Sequence, residues 1–190
     1  MRQDVFLYVT IICDLHMGIE IRIAAPADAA AACAVLRRSI TECCVQDHGN
    51  KPEVLQAWLG NKTPDNVAGW FTTPSNFALV AERDGVIVGV SLLTQAGKLS
   101  LCYLLPEALH QGIGKAMLHA IEARARAWEI SILKLHSTAS GRDFYARNGY
   151  IQAGKEKSCY GVECDFFWKQ LNVAQTPDAA PRKRFCNCTA

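Results

Sequence analysis

The 190-residue chain predicts a single α/β unit, and three observations carry that prediction. Ile19, Ile21 and Ile23 alternate with Glu20 and Arg22, the period-two pattern of a half-buried strand. Two apolar runs, 77–82 and 86–93, flank Arg83-Asp84-Gly85, and Asp-Gly between apolar runs is a strong hairpin signal. Over 112–128, Ile113, Met117, Ala120 and Ile121 recur at helical spacing and share one face.

The remaining elements follow in chain order. The apolar run 6–13 is too short to span a bilayer. Asp14-Leu15-His16 follows it directly, so it lacks the small-residue cleavage site of a signal peptide. The reading taken is that Met17, just before the strand pattern, is the natural start and that residues 1–16 are an artefact of start-site choice; the alternative is an added edge strand. Pro26 and Asp28 open an alanine-rich helix to about Ile40, with Cys33, Leu36 and Ile40 on its apolar face. Pro52 begins a short helical stretch with Val54, Leu55, Trp58 and Leu59. Thr63-Pro64-Asp65 gives an N-cap, a first-turn proline and a first-turn acid for a third helix to Phe71. After the hairpin, Gly97 turns into a strand over 99–105 that Pro106 stops. Residues 132–136 read as a strand, 140–148 as a short helix ending at Gly149, and Tyr150 onward as strand, with 162–171 closing the domain. The domain is therefore 19–171, preceded by an extension (1–18) and followed by a polar tail (172–190) with Arg182-Lys183-Arg184.

Composition is that of an ordinary globular protein, with 50% hydrophobic and 20% charged residues. A net charge of +2 points to no nucleic acid, membrane surface or acidic partner. Nine cysteines are an odd number, and Cys33 and Cys102 sit inside apolar patterns, so they read as reduced thiols in a cytosolic protein. Cys186-Asn187-Cys188 has no histidine pair at zinc spacing, so no metal is expected. Cys43-Cys44 reads as packing or capping, and the basic tail triplet as a solvated segment.

Two motifs carry chemistry. Gln111-Gly112-Ile113-Gly114-Lys115 follows a strand and opens a helix. Glycines there let a phosphate reach the backbone, and a helix N-terminus offers free N–H groups and the positive end of its dipole. Some thirty residues on stands Phe144-Tyr145-Ala146-Arg147-Asn148-Gly149-Tyr150. A tyrosine of ordinary pKa, about 10, is protonated at neutral pH and can donate.

A phosphate cradle followed by Phe-Tyr at this spacing resembles the GCN5-related N-acetyltransferase (GNAT) family, over roughly 19–171. The resemblance implies a mixed, mostly antiparallel central sheet of six to seven strands with helices on both faces. It implies acetyl-CoA as co-substrate, with the pyrophosphate on the backbone of His110, Gln111, Gly112, Ile113, Gly114 and Lys115. The pantetheine arm would run beside the strand bearing Cys102 and Leu104, near Thr138, and Tyr145 would protonate the leaving thiolate. Phe144 would pack the helix. Leu109 stands where the family signature has Gln or Arg, and Thr138 where an asparagine is common. No Glu or Asp lies on 99–105, so the general base is unassigned; Glu42, Asp47 and His48 are candidates, with a solvated loop at 46–50 or water itself as the alternatives. Trp58, Trp70 and Phe71 read as helix-core aromatics or as an acceptor wall.

The activity implied is acetyl transfer to a primary amine of a small molecule or peptide, by direct attack in a ternary complex, in a monomer or homodimer with no nucleic-acid or membrane partner. The alternative is a non-catalytic module that keeps the fold and binds a coenzyme or a protein; Leu109 favours it, and the intact Phe-Tyr pair favours the enzyme. The start-site reading has its own test. A chain beginning at Met17 should stay soluble and melt within a few degrees of the full chain; loss of soluble protein would make the 6–13 run an integral element.

Overall fold

The structure, a computed structural model, describes residues 18–158 and 160–172. The expectations for residues 1–16, the tail, and Cys13, Cys159, Cys186 and Cys188 lie outside the described residues. Strand β1 (Ile19–Ile23) leads through a 3-10 turn at Pro26–Asp28 into four helices: α1 (Ala29–Cys43), α2 (Val45–His48), α3 (Pro52–Leu59) and α4 (Pro64–Thr72). Strands β2 (Asn76–Arg83), β3 (Val86–Thr94) and β4 (Lys98–Leu104) form a meander. Then come α5 (Ile113–Ala127), β5 (Ile132–Ser137), α6 (Arg142–Arg147), β6 (Ile151–Lys157) and β7 (Glu163–Gln170). The seven strands form one sheet in the order β1-β2-β3-β4-β5-β7-β6. Every neighbouring pair is antiparallel except β4–β5.

Local chemistry sets the boundaries. The β2–β3 hairpin turns on Asp84 (φ 51°) and Gly85 (φ 79°), the two positive-φ positions of a type I′ turn. Thr63 caps α4, its Oγ1 accepting the Asn66 N–H at 3.3 Å. The first long helix begins at Ala29 rather than Pro26. Asp28 accepts the Ala25 N–H at 2.7 Å and receives Arg22 at 2.7 and 2.9 Å, so residues 26–28 tighten into a 3-10 turn first. Arg22 and these hydrogen bonds hold the Asp28 carboxyl below the usual carboxylate range. The 46–50 segment is also more ordered than a solvated loop. Val45–His48 closes a helical turn on Gly49, whose N–H donates to the Val45 carbonyl at 2.9 Å, and His48 is buried.

The main core lies between sheet and helices. Leu36 of α1, Val90 and Leu93 of β3, Met117 and Ile121 of α5, and Leu133 and Phe167 are all essentially inaccessible. A second cluster, Ile40, Cys44, Trp58, Val162 and Cys164, joins α1 and α3 to the start of β7. Trp58 belongs to this cluster, and Trp70 and Phe71 pack against the main core.

Two charged clamps fix α6 to the sheet. At its start, Arg142 Nε donates to buried Asp165 Oδ2 of β7 at 2.6 Å. At its end, Lys169 Nζ of β7 donates to the Asn148 carbonyl at 2.8 Å and to Glu122 Oε1 of α5 at 2.7 Å. Glu122 is buried, and its other cationic partner, Arg126, is 3.4 Å away. Removing one member of such a pair strands a charge in a low-dielectric site. Lys169→Ala should therefore cost about 3 kcal/mol, a fall in Tm of roughly 6–12 °C for a domain of this size. Calorimetry showing an unchanged Tm would mean that Arg126 alone satisfies Glu122.

Candidate active site

Pairing between β4 and β5 stops after two residues, Lys98↔Lys134 and Leu99↔Leu135. On its other side β4 carries a bulge: Leu92 faces Leu101 and Leu93 faces Leu99, so Ser100 is the extra residue. A bulge bends its strand and increases local twist. Past Ser100 the strands diverge, and β4 has no ladder partner in β5. The opening is a cleft of about 560 Å³. Its sides are β4 and the 136–141 segment, its ends are the start of α5 and helix α6, and Ser39, Cys43 and Cys44 of the α1 end form one wall.

Eight of the ten sequence-predicted site residues line this cleft: Cys102, Leu104, His110, Gly112, Gly114, Lys115, Thr138 and Tyr145. Gly112 is the N-cap of α5 with φ 82°, a left-handed conformation. The first helical bond runs from the Ala116 N–H to the Gly112 carbonyl at 3.0 Å. The N–H groups of Ile113, Gly114 and Lys115 therefore have no intrahelical acceptor. A Cβ at Gly112 would meet nothing within 4 Å, so space lies open at this helix end. Unpaired donors, the dipole and the Lys115 charge together suit a pyrophosphate.

The two other residues direct their side chains elsewhere. Ile113 is fully buried in the core. Gln111 Nε2 donates to the Glu107 carbonyl at 2.7 Å, and its Oε1 accepts from Arg83 Nη1 at 2.8 Å, which pins the 107–111 loop to the end of β2. Leu109 lines the cleft and brings no donor to it.

Tyr145 is 8% exposed. Its ring meets those of Phe144 and Tyr150 edge-on, at centroid distances of 5.1 and 5.7 Å. Its hydroxyl faces the Cys102 thiol. Burial, followed by the neighbouring Cys102 and Tyr103, pushes the phenol well above its ordinary value. The proton stays on oxygen throughout the physiological range. Phe144 packs against Gly114 of α5, and Gly149 leaves α6 with φ 81°.

The thiols behave likewise. Burial raises Cys102 to about 11 and Cys44 to about 12, and it raises Cys43. The thiolate is the nucleophilic form, so none of the three is activated for covalent acyl transfer at neutral pH.

The candidate bases are already engaged. Glu42 holds Arg38 through both oxygens, at 2.9 and 3.1 Å. Asp47 accepts the Ala139 N–H at 2.7 Å and the Ser140 hydroxyl, tying α2 to the turn before α6. His48 Nδ1 accepts the Asn50 N–H at 3.2 Å, and Nε2 faces the Thr41 carbonyl at 3.4 Å. Sequence reasoning passed over Tyr103 and His136, which also line the cleft. For His136 the available signal was period two, polar Lys134 and His136 alternating with Leu133 and Leu135; Tyr103 shares the parity of Leu99 and Leu101 and had no such signal.

Comparison with known proteins agrees with this geometry. The family described as the acetyltransferase (GNAT) domain matches residues 45–164. No curated protein matches the chain significantly in sequence. Among solved structures, a GCN5-related N-acetyltransferase from Rhodopseudomonas palustris superposes with a TM-score of 0.73 at 22% identity, covering 80% of this chain and 94% of that one. The PaiA N-acetyltransferase of Thermoplasma acidophilum, in complex with coenzyme A, gives 0.72 at 23% identity, covering 81% and 99%. YncA of Salmonella typhimurium, with its cofactor acetyl-CoA, gives 0.63 at 18%, covering 86% and 99%. At these identities the likeness is one of fold.

The helix end can be tested directly. Gly112→Asp adds a negative charge and strains a positive-φ position. Calorimetry should show acetyl-CoA affinity falling at least tenfold, about 1.4 kcal/mol. Unchanged affinity in a folded variant would exclude this turn as the phosphate site.

Proposed function

The chain belongs to the GNAT acetyltransferase family, and from that premise we propose that it transfers the acetyl group of acetyl-CoA to a primary amine of a small molecule or peptide, by direct attack in a ternary complex. The observation that carries this reading is the buried Tyr145 phenol lining the cleft where β4 and β5 part. Acetyl-CoA, when bound, supplies the acyl group as a thioester. The N–H groups of Ile113, Gly114 and Lys115 would hold its pyrophosphate. The strand edge of β4 beyond Ser100 would receive the pantetheine arm through main-chain hydrogen bonds and orient the thioester. Free N–H groups on that edge would polarise the thioester carbonyl. Tyr145 would give its proton to the departing sulfur.

Leu109 favours a second reading, a non-catalytic coenzyme-binding module, because the cleft lacks a side-chain donor at that position. Thiol release from acetyl-CoA with a panel of amines separates the two. No described helix is long and apolar enough to cross a membrane. The five described cysteines are free thiols, which supports the cytoplasm as the working compartment.

Tyr145→Phe removes only the hydroxyl. Its kcat should drop by about 10²–10⁴-fold, the usual contribution of a general acid, while KM for acetyl-CoA stays within a few fold. Because burial raises the phenol, the acid stays loaded above its ordinary pKa, and the wild-type kcat should show no alkaline fall from this group below about pH 10. A phenylalanine variant with wild-type kcat would make Tyr145 a packing residue.

A further inference from the structure

The acetyl-transfer reading leaves one proton without a destination. An alkylamine is an ammonium ion at neutral pH and must lose a proton before it can attack. The three bases suggested by the sequence are engaged in fixed hydrogen bonds, yet one basic group in the cleft is differently placed. His136 Nε2 lies 2.7 Å from Glu156 Oε2 of β6. An ionised carboxylate only accepts, so in the neutral ring Nε2 carries the hydrogen and Nδ1 keeps the lone pair. The ring is steadied from a third strand by Phe166 of β7, with centroids 5.4 Å apart.

Its position in the sheet is specific. The last β4–β5 pair is Leu99↔Leu135, so His136 is the first β5 residue past the divergence. The next residue, Ser137, points to the opposite face. A Cβ built on Gly141 would come within 2.7 Å of Ser137 Oγ and 3.6 Å of Tyr145 Cε2, so Ser137 is on the tyrosine side. His136 is therefore on the other side of β5 from Tyr145, and both line one cleft. The His136 side chain is 32% exposed, open enough to pass a proton to water. The other titratable groups toward this face are Lys134, two residues back along the strand, Asp47 of α2, and the thiols of Cys43, Cys44 and Cys164, which burial keeps protonated.

Resting on the acetyl-transfer reading, we propose that His136 is the general base of the reaction, with Glu156 as its positioning residue. Nδ1 takes one proton from the substrate ammonium and releases it to solvent. The freed nitrogen lone pair forms the C–N bond at the thioester carbonyl carbon, and the C–S bonding pair leaves with sulfur. Sulfur takes the Tyr145 proton, and the second proton shed by the nitrogen restores the tyrosine. The products are one amide, one thiol and one proton in solvent.

The test is His136→Gln assayed with whichever alkylamine of a panel (phenethylamine, spermidine, a lysine peptide) the wild type turns over. At pH 7 its kcat/KM should fall by about 10²–10⁴-fold. At pH 9.5 a larger share of the amine is neutral, close to the ordinary alkylammonium value of about 10.4, and the deficit should shrink at least tenfold. Glu156→Gln should show a smaller loss with the same recovery. Acetyl-CoA affinity, measured by calorimetry, should be unchanged in both. Wild-type activity of His136→Gln at pH 7, or an equal deficit at both pH values, would overturn the base while leaving acetyl transfer standing. A wild type that binds acetyl-CoA but turns over no amine would overturn the transferase reading and the base with it.

Discussion

The extra residue at Ser100 is the constraint on which the site depends. A parallel pair in mid-sheet would ordinarily run its full length, because every buried N–H and C=O left without a partner is costly. Here β4 stays paired to β3 on one side through Leu104 but separates from β5 after Leu99. The bulge supplies the bend, and a ligand with its own amide groups is what can satisfy the exposed edge. The sheet is thus left incomplete where a chain-like substrate arm fits, and the start of α5 sits at the open end with unpaired N–H groups. Closing β4 on β5 would bury those backbone groups and abolish the cleft in a single step.

A cleft alone does not place a proton donor, and α6 is only six residues long. So short a helix has little stability of its own. Its position is imposed from outside, by Asp165 on Arg142 at one end and by Lys169 on the Asn148 carbonyl at the other. Both anchors rise from β7, and Lys169 is in turn bound to Glu122 of α5. The helix carrying Tyr145 and the helix whose N-terminus is the proposed anion site are thereby referenced to the same strand. Buried ion pairs add little net stability over apolar packing. Here they fix α6 and α5 to one strand, β7.

Much of this was legible in the sequence where the signal is local. Alternation in 19–23, Asp84-Gly85 between apolar runs, and the Gly112 and Tyr145 motifs each depend on residues a few positions apart, and the structure places those elements as read. The start of α1 was missed because Asp28 answers to Arg22 and the Ala25 N–H rather than to helix propensity. The turn at Val45–His48 was missed because tertiary contacts stabilise it, notably Asp47 reaching residues 139 and 140. The site splits the same way. Residues on the cradle and on the Phe-Tyr helix were named from local spacing and the family resemblance, and Gln111 and Ile113 were named for their backbone N–H groups, so side chains turned elsewhere do not bear on that expectation. The pairing of His136 with Glu156, twenty residues apart in sequence, needs the β5-β7-β6 order before it exists at all.

The two side chains proposed to handle protons differ in burial, and the difference suits the proposed roles. Tyr145 is 8% exposed. Desolvation penalises its anion, so the hydroxyl keeps its proton until a stronger demand, a thiolate forming beside it, appears. His136 stands on the open side of the same sheet, with its Glu156 partner more exposed still. A base buried as deeply as the tyrosine would have no route for shedding the proton it collects, and one turnover would leave it charged. An acid as exposed as the histidine would share its role with water. One strand, β5, separates the two environments, because successive residues on a strand face opposite ways. The alternation that identifies a strand in the sequence thus also sets the proposed donor and the proposed base in a dry and a wet environment along one cleft.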